Sequence, residues 1–250
     1  MKKLFIEIGL IARFTVRFFT ELFKPRFEFN EFLRQCFYIG NKSLPLVAIT
    51  AFIMGLVITI QSRPTLVEFG AEAWLPKMVS VSLVREIAPV ITALICAGKI
   101  GSGIGAELGS MKVTEQIDAM DVSGTNPYKF LVVTRVMGTT LMIPLLAVLA
   151  DTVSLYGGYL GANIRGVVSW NLYWNQVFDT LVYADLMPSI IKTFFFGFAI
   201  GIIGCYKGFN TNKGTEGVGQ SANSAVVISS LLVFIIDLIA VQITDIFNLN

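Results

Sequence analysis

The chain has 250 residues, of which 54% are hydrophobic and only 14% are charged, whereas a soluble domain carries about 25% charged residues, so an ordinary soluble domain is excluded. The formal net charge of +2 is spread along the chain without a dense basic block, which argues against a nucleic-acid-binding protein. Three scattered cysteines and the absence of histidine argue against a disulfide framework and disfavour metal or redox chemistry.

The first 42 residues, 1–42, form a basic and amphipathic segment that precedes an expected five-helix domain, 43–250. The stretch Leu4–Phe23 mixes large apolar side chains with regularly placed charges. This pattern suits a helix that lies in the inner interface of a membrane, with its lysine and arginine side chains reaching toward water. The alternative is an ordinary cytoplasmic helix packed on protein.

Five apolar runs are each long enough to cross about 30 Å of hydrocarbon, which takes a helix of about 20 residues. In chain order these predicted spans are Ser43–Ser62, Met78–Gly98, Phe130–Tyr156, Leu186–Tyr206 and Ala222–Phe247. Pro89 is expected to kink the second span. Runs this long satisfy their backbone hydrogen bonds only as helices, and the short alternating segments of a membrane barrel are missing. The predicted fold class is an all-α integral membrane protein.

The positively charged residues of the loops predict the orientation. Fourteen lysines and arginines fall on the side of the N-terminal segment, with Lys129 and Arg135 counted among its loop charges. Three fall on the other side, Arg63, Lys77 and Arg165. By the positive-inside rule the N-terminus is cytoplasmic, and an odd number of spans puts the C-terminus on the outer side. All three tryptophans lie in the two predicted outer loops, where such rings mark the membrane interface.

The connection between the second and third spans is the densest polar stretch. Gly101, Gly105 and Gly109 recur every four residues, so a helix here would present a flat stripe for close helix packing. From Val113 a helical wheel predicts a short cytoplasmic helix, with Thr114 as its cap and Gly124 as its end. Its apolar face carries Val113, Ile117 and Met120, and its acidic face carries Glu115, Asp118 and Asp121. The alternative is a solvated surface helix.

Seven charged residues lie within or at the edges of the predicted spans: Arg85, Glu86, Lys99, Glu107, Lys192, Lys207 and Asp237. An unpaired charge at the centre of a membrane costs at least about 2.5–3.5 kcal/mol. We therefore expect some of these residues to form ion pairs along a transport pathway, while others reach water at the span ends. Asp237 and Glu107 have short side chains, so both are predicted to be paired inside the bundle.

The chain carries no motif for hydrolysing ATP or for common hydrolytic chemistry. Gly98-Lys99 lacks both the upstream glycine and the following serine or threonine of a Walker A loop. The sequence therefore predicts that the chain is not an enzyme.

Several stretches of the sequence resemble the MlaE family of ABC transporter permeases. They are residues 82–136, which include ELGSMKVTEQIDAM, the YGGYLG of Tyr156–Gly161, and the C-terminal stretch Gly208–Asp237. The resemblance implies a five-span permease of the bacterial inner membrane that pairs with itself as a homodimer. It also implies that Glu115–Val122, including Gln116, is a coupling helix that docks on cytoplasmic ABC ATPase subunits.

The resemblance further implies an outer-side MCE-domain partner and transport of phospholipids or related lipids between inner and outer membranes. No cofactor is then bound by this chain, because ATP and magnesium are used by the partner ATPase. Lys99 stands where many members of the family have arginine, which keeps the charge but loses the bidentate donors. An ion-coupled secondary transporter and a membrane scaffold for an ATPase are the alternative functions.

Overall fold

The computed structural model of the protein describes residues 2–25, 27–164, 166, 168–212 and 214–246. Arg165, which the charge count used, and Phe247, the predicted end of the fifth span, lie outside the described residues. Every regular element in the described ranges is helical, and five helices are long and apolar enough to cross a membrane. The predicted all-α fold with an N-terminal helix and five spans is confirmed.

The first helix matches its prediction closely, whereas the second is much longer than the sequence pattern predicts. Helix α1 covers Lys2–Leu22, and helix α2 runs from Phe29 to Glu68, although the span was predicted only from Ser43 to Ser62. The predicted boundary after residue 42 therefore falls inside one continuous helix. Helical propensity and hydrogen bonding do not stop where the apolar run stops, so hydropathy marks the membrane part of a helix and not its ends.

The third helix, α3, covers Glu72–Val113 and is also longer than predicted, because it includes the glycine stripe. It contains two π turns, at Leu83–Ile87 and Ala97–Gly101. The first lies directly before Pro89, so the disturbance predicted at this proline takes the form of a π turn. Pro89 has no N–H to offer the Val84 carbonyl, and the Ser189 hydroxyl donates to it instead at 2.8 Å.

A short helix, α4, covers Gln116–Val122 between the second and third spans. The predicted cap is wrong: the Thr114 hydroxyl donates back to the Ser110 carbonyl at 2.8 Å, and Glu115 stands before the helix with a positive φ of 59°. Val113 belongs to the end of α3. The predicted end is confirmed, because Gly124 has a φ of 83° and releases the chain from the helix.

Four further helices complete the described chain. Helix α5 covers Tyr128–Asn163, beginning with a π turn at Tyr128–Val133, and α6 covers Trp170–Thr180. Helices α7 and α8 cover Tyr183–Phe209 and Thr215–Ile246. Pro144 lies inside α5 without ending it. The Ser169 hydroxyl caps α6 by accepting from the Leu172 N–H at 3.3 Å.

Two compact units share these helices. Unit 1 contains residues 1–42, 96–142 and 195–233, and unit 2 contains residues 43–95, 143–194 and 234–250. In unit 1, Phe14 and Phe18 of α1 pack on aromatic rings of α5 and α7, including Tyr128 at 4.9 Å between ring centroids. In unit 2, the core gathers Leu75, Val79 and Leu83 of α3 with Tyr173 and Val177 of α6.

Glycines allow helices to approach closely within each unit. In unit 2 a Cβ at Gly55 would lie 1.9 Å from the Ser154 carbonyl oxygen, and one at Gly157 would lie 2.4 Å from that of Phe52. Helices α2 and α5 therefore meet backbone to backbone at this point. Such small-residue contacts are the usual way in which membrane helices gain packing energy, because lipid gives them no hydrophobic driving force for association.

Candidate functional site

The main cluster of buried charge lies in unit 2 around Lys192 of α7, which is 3% exposed. Its ammonium nitrogen lies 2.7 Å from the Glu86 carboxylate of α3 and 2.8 Å from the Asp237 carboxylate of α8. Each of the three spans α3, α7 and α8 thus contributes one charged side chain to the same cluster. The predicted pairing of Asp237 is confirmed, and Lys192 is its partner.

The first π turn of α3 gives Glu86 a fixed place in this cluster. The turn lies directly before Pro89, and the Ser189 hydroxyl ties it to α7 by bonding to the Val84 carbonyl. Ser189 precedes Lys192 by one helical turn, so the same face of α7 holds the backbone and the carboxylate of this segment. Pro89, which was predicted to kink the helix, therefore helps to position the Glu86 side chain.

A charged cavity of about 320 Å³ adjoins Lys192. Glu86 and a second ion pair lie on its wall, with the Arg85 Nε at 3.2 Å from the Asp185 carboxylate. Two kinds of residue complete the lining: apolar ones, Val81, Ala184, Pro188, Ala240 and Val241, and hydroxyl-bearing ones, Ser82, Ser189 and Thr244. The cavity therefore offers both fixed charges and hydrocarbon surface within a single unit.

Lys192 shares its positive charge between two carboxylates. Glu86 and Asp237 both contact its ammonium, and Arg85 pairs with Asp185. Taking an ion from water into a low dielectric costs several kcal/mol, and only close pairing recovers this energy. Removing the lysine alone would leave two carboxylates to repel each other, so its side chain has the largest role in holding the cluster.

A second ion pair lies in unit 1, where Arg135 of α5 is 2% exposed. Its guanidinium donates to the Glu107 carboxylate at 2.9 Å and to the Leu131 carbonyl at 3.1 Å. The predicted pairing of Glu107 is thereby confirmed. Sequence analysis counted Arg135 as a loop residue and missed it. The signal was present, because Arg135 follows the apolar stretch 130–133 and lies inside the predicted third span.

The other predicted edge charges are not part of the Lys192 cluster. Lys99 is exposed and donates to the backbone carbonyl of Lys42, and Lys207 pairs with the Glu7 carboxylate of α1. Both pairs lie in unit 1. Lys129 was likewise counted as a loop charge, yet it is 8% exposed and donates to backbone carbonyls at the end of α1.

The predicted glycine stripe packs as expected in unit 1. A Cβ at Gly105 would lie 3.3 Å from the Ala222 backbone, and one at Gly109 would lie 2.8 Å from the Thr211 hydroxyl. A Cβ at Gly101 would lie 3.5 Å from the nearest side-chain atom, which belongs to Ile200, and this is an ordinary contact distance. The stripe thus faces α7 and α8 and the connection between them.

Helix α4 exposes a different surface from the one the helical wheel predicts. Ile117 is 2% exposed, so it packs on this chain and is not available to a partner. The exposed apolar side chain is Val122, at 91%. Glu115, Asp118 and Asp121 are exposed as predicted, and Asp118 pairs with Lys112 at 2.8 Å. Met120 and Gln116 are half-buried and exposed, respectively.

In the part of the chain that the structure describes, five helices are long and apolar enough to cross a membrane, and they carry buried ion pairs and a charged cavity, as in a multi-pass membrane protein. Residues 32–243 match the family described as Permease MlaE. A probable ABC transporter permease protein of Rickettsia typhi is 38% identical over 229 residues, which cover 92% of this chain and 88% of the relative. A similarly named protein of Synechocystis is 37% identical over 228 residues, covering 90% and 87% of the two chains.

The intermembrane phospholipid transport system permease protein MlaE of Haemophilus influenzae is 31% identical over 220 residues, covering 87% of this chain and 84% of that protein. The chain therefore belongs to the MlaE family of ABC transporter permeases. The resemblance seen in the sequence motifs is confirmed.

Replacing Lys192 tests the energetics of the buried cluster. We expect Lys192→Met to lower the free energy of unfolding by about 3 kcal/mol, at the low end for breaking a buried pair, because Glu86 is half exposed. Adding Asp237→Asn should recover part of this loss, since it removes one of the two repelling carboxylates. Unfolding of the purified protein in detergent measures both.

Lys112→Met is the matched control, because Lys112 also has a carboxylate partner but the pair is exposed. It should cost about 0–1 kcal/mol. Equal losses for Lys192→Met and Lys112→Met would show that the buried cluster does not stabilise the helices.

Proposed function

We propose that this chain is the membrane-spanning subunit of an ABC transporter that moves phospholipids or related lipids between inner and outer membranes. The proposal rests mainly on the cavity beside Lys192. Charged and apolar side chains line it together, and they come from helices long and apolar enough to cross a membrane. A relative that is 31% identical bears the name of an intermembrane phospholipid transport permease.

An amphiphile is the ligand that matches this lining. A phosphate can be met by Arg85 and an ammonium by Glu86 or Asp185, because these charged groups lie on the cavity wall. Acyl chains can follow the apolar side chains of Pro188 and Val241, which contribute hydrocarbon surface. A small inorganic ion would use only the charged part of the lining.

Energy for transport would come from a cytoplasmic ABC ATPase, which uses ATP and magnesium, docked on α4. Val122 and the exposed carboxylates of Glu115 and Asp121 give that surface an apolar centre with an acidic surround. Exposed charge pairs contribute only about 0–1 kcal/mol each, so burial of the apolar side chain should dominate the docking.

The remaining assembly is proposed from the family and from the exposed helix surfaces. Helix α8 exposes large apolar side chains along much of its length, among them Val227, Leu231, Phe234 and Leu238. Lipid and a second copy of the chain would cover them in a homodimer. We place the chain in the bacterial inner membrane with a cytoplasmic N-terminus and a periplasmic C-terminus, where an MCE-domain protein would receive the lipid.

Reconstitution tests the proposed function. Vesicles that contain the chain with its ATPase and MCE-domain partners should transfer labelled phospholipid when ATP is supplied. Asp237→Ala should impair transfer by about tenfold, a coupling effect of ordinary size, and should impair assembly much less, because Lys192 keeps the Glu86 partner. Transfer rate and the amount of bound ATPase are measured on the same vesicles.

Two outcomes would replace the proposal with one of its alternatives. Transport that is driven by an ion gradient without ATP would identify a secondary transporter. Stable ATPase binding with no lipid transfer in the wild type would identify a scaffold.

Val122 tests the docking surface separately. Val122→Asp puts a charge where an apolar side chain is expected to be buried, so the ATPase should bind about tenfold more weakly. Binding of the purified ATPase to the chain in nanodiscs measures the effect. Val182→Asp is the control, because Val182 is also an exposed valine, at 56%, but precedes α7. If both variants bind the ATPase as the wild type does, the docking surface lies elsewhere.

A further inference from the structure

The segment that follows α4 holds the N-terminal helix α1 in unit 1. The Tyr128 hydroxyl donates to the Phe14 carbonyl of α1 at 2.5 Å. The Lys129 ammonium donates to the Lys24 carbonyl at 2.7 Å and to the Pro25 carbonyl at 2.6 Å, directly after α1 ends. Lysine is favourable at this position, since the carbonyls at a helix C-terminus carry partial negative charge.

Asn126 joins the two segments through both ends of its amide. Its Nδ2 donates to the Glu21 carboxylate of α1 at 2.9 Å. Its Oδ1 accepts from the backbone N–H groups of Tyr128 at 3.1 Å and Lys129 at 3.2 Å, which caps the start of α5. One side chain therefore fixes the beginning of a span and the end of α1 together.

The connection from α4 to Asn126 is short and hydrogen-bonded. The Gly124 N–H bonds to the Asp121 carbonyl at 3.1 Å, and the Thr125 N–H bonds to the Met120 carbonyl at 3.0 Å. This arrangement closes the end of α4 and leaves little slack before Asn126. A displacement of α4 is therefore passed to Asn126 rather than absorbed by a flexible loop.

Glu21 is a well-defined acceptor for this contact. It is 6% exposed, and burial by itself raises the pKa of its carboxyl group. The hydrogen bonds from Lys24 and Asn126, with the positive charge of Arg17, outweigh burial and lower that pKa below its ordinary value. The carboxylate is thus ionised at neutral pH and accepts from both donors.

The same buried face of α1 also contacts α7, the helix that carries Lys192. Phe14 lies 5.6 Å from Tyr206 and Phe18 lies 5.6 Å from Phe198, measured between ring centroids. Glu7 pairs with Lys207. Helix α1 therefore contacts both the segment that follows α4 and the part of α7 that belongs to unit 1.

We propose that α1 transmits displacement of α4 to α7, and that Asn126 and Lys129 are the positioning residues that couple α1 to α4. The proposal rests on the proposed function, in which an ATPase moves α4. In this proposal, α1 takes part in transport in addition to lying on the membrane.

Asn126→Asp separates this role from folding of the span. An aspartate can still cap α5, but it cannot donate to Glu21. Its carboxylate would instead face the Glu21 carboxylate, and the two would repel each other. In vesicles with the ATPase and MCE-domain partners, lipid transferred per ATP hydrolysed should fall by about fivefold or more. The amount of assembled complex should stay unchanged. Adding Glu21→Gln should restore the ratio, because the glutamine amide can donate to the new carboxylate.

Gln35→Glu is the matched control, because it also changes an amide into an acid beside a carboxylate, here Glu31 at 2.7 Å, but within one helix. It should leave the ratio unchanged. A ratio for Asn126→Asp equal to that of Gln35→Glu would overturn the proposal. Loss of the complex in proportion to transfer would also overturn it, since Asn126 would then serve assembly alone.

Hydrogen exchange of the chain alone in nanodiscs gives a second test that does not need transport. Asn126→Asp should speed amide exchange in the last turn of α1, and the double variant with Glu21→Gln should reverse this. Unchanged exchange would overturn the link between α4 and α1. If the wild type transfers no lipid with ATP, the proposed function fails, and exchange alone decides whether the two helices are coupled.

Discussion

A lysine ammonium that is almost fully buried inside apolar helices is the constraint on which unit 2 depends. Lys192 cannot remain charged there without close carboxylates, and Glu86 and Asp237 supply them from two other helices. The three spans must therefore bring these side chains to the same depth, and each helix must be rotated so that its charged side chain faces the other two. The π turn before Pro89 belongs to the same arrangement, because Ser189 satisfies the carbonyl that the proline leaves without a donor.

Two carboxylates share the Lys192 ammonium, and this gives the cluster a capacity for change. A lysine with two acceptors can keep one when the other is taken by a ligand or moves with its helix. In the proposed function, a lipid headgroup with both a phosphate and an amine would exchange with these pairs at modest cost, because every broken contact would have a replacement. This physical property connects the buried charges to transport, beyond their contribution to stability.

The sequence predicted which parts of the chain cross the membrane, and it did so because about 20 apolar residues have few other stable arrangements in lipid. It did not predict where the helices end, since α2 begins at Phe29, well before its apolar run. It predicted that Asp237 and Glu107 must be paired, but not with which partners. Lys192 was identified as a charge within a span, and Arg135 was counted as a loop charge. Neither was identified as a partner, because pairing depends on how distant helices are rotated.

The short helix α4 shows why a helical wheel has limits. The wheel separated apolar from acidic residues correctly, yet it could not tell whether Ile117 faces a partner or this chain, and Ile117 is buried here. The left-handed Glu115 was also beyond the pattern, because glutamate rarely adopts a positive φ. That turn separates α4 from the end of α3.

Photo-crosslinking tests most directly whether the charged cavity lies on the path of the lipid. A phospholipid with a photoreactive group near its head is added to vesicles that contain the chain, its ATPase and the MCE-domain partner, and adducts are mapped by mass spectrometry. The account predicts adducts on the cavity segments 81–86, 184–192 and 240–244 that change in yield when ATP is hydrolysed. Adducts confined to exposed side chains such as Leu231 and Phe195, with no response to ATP, would contradict it.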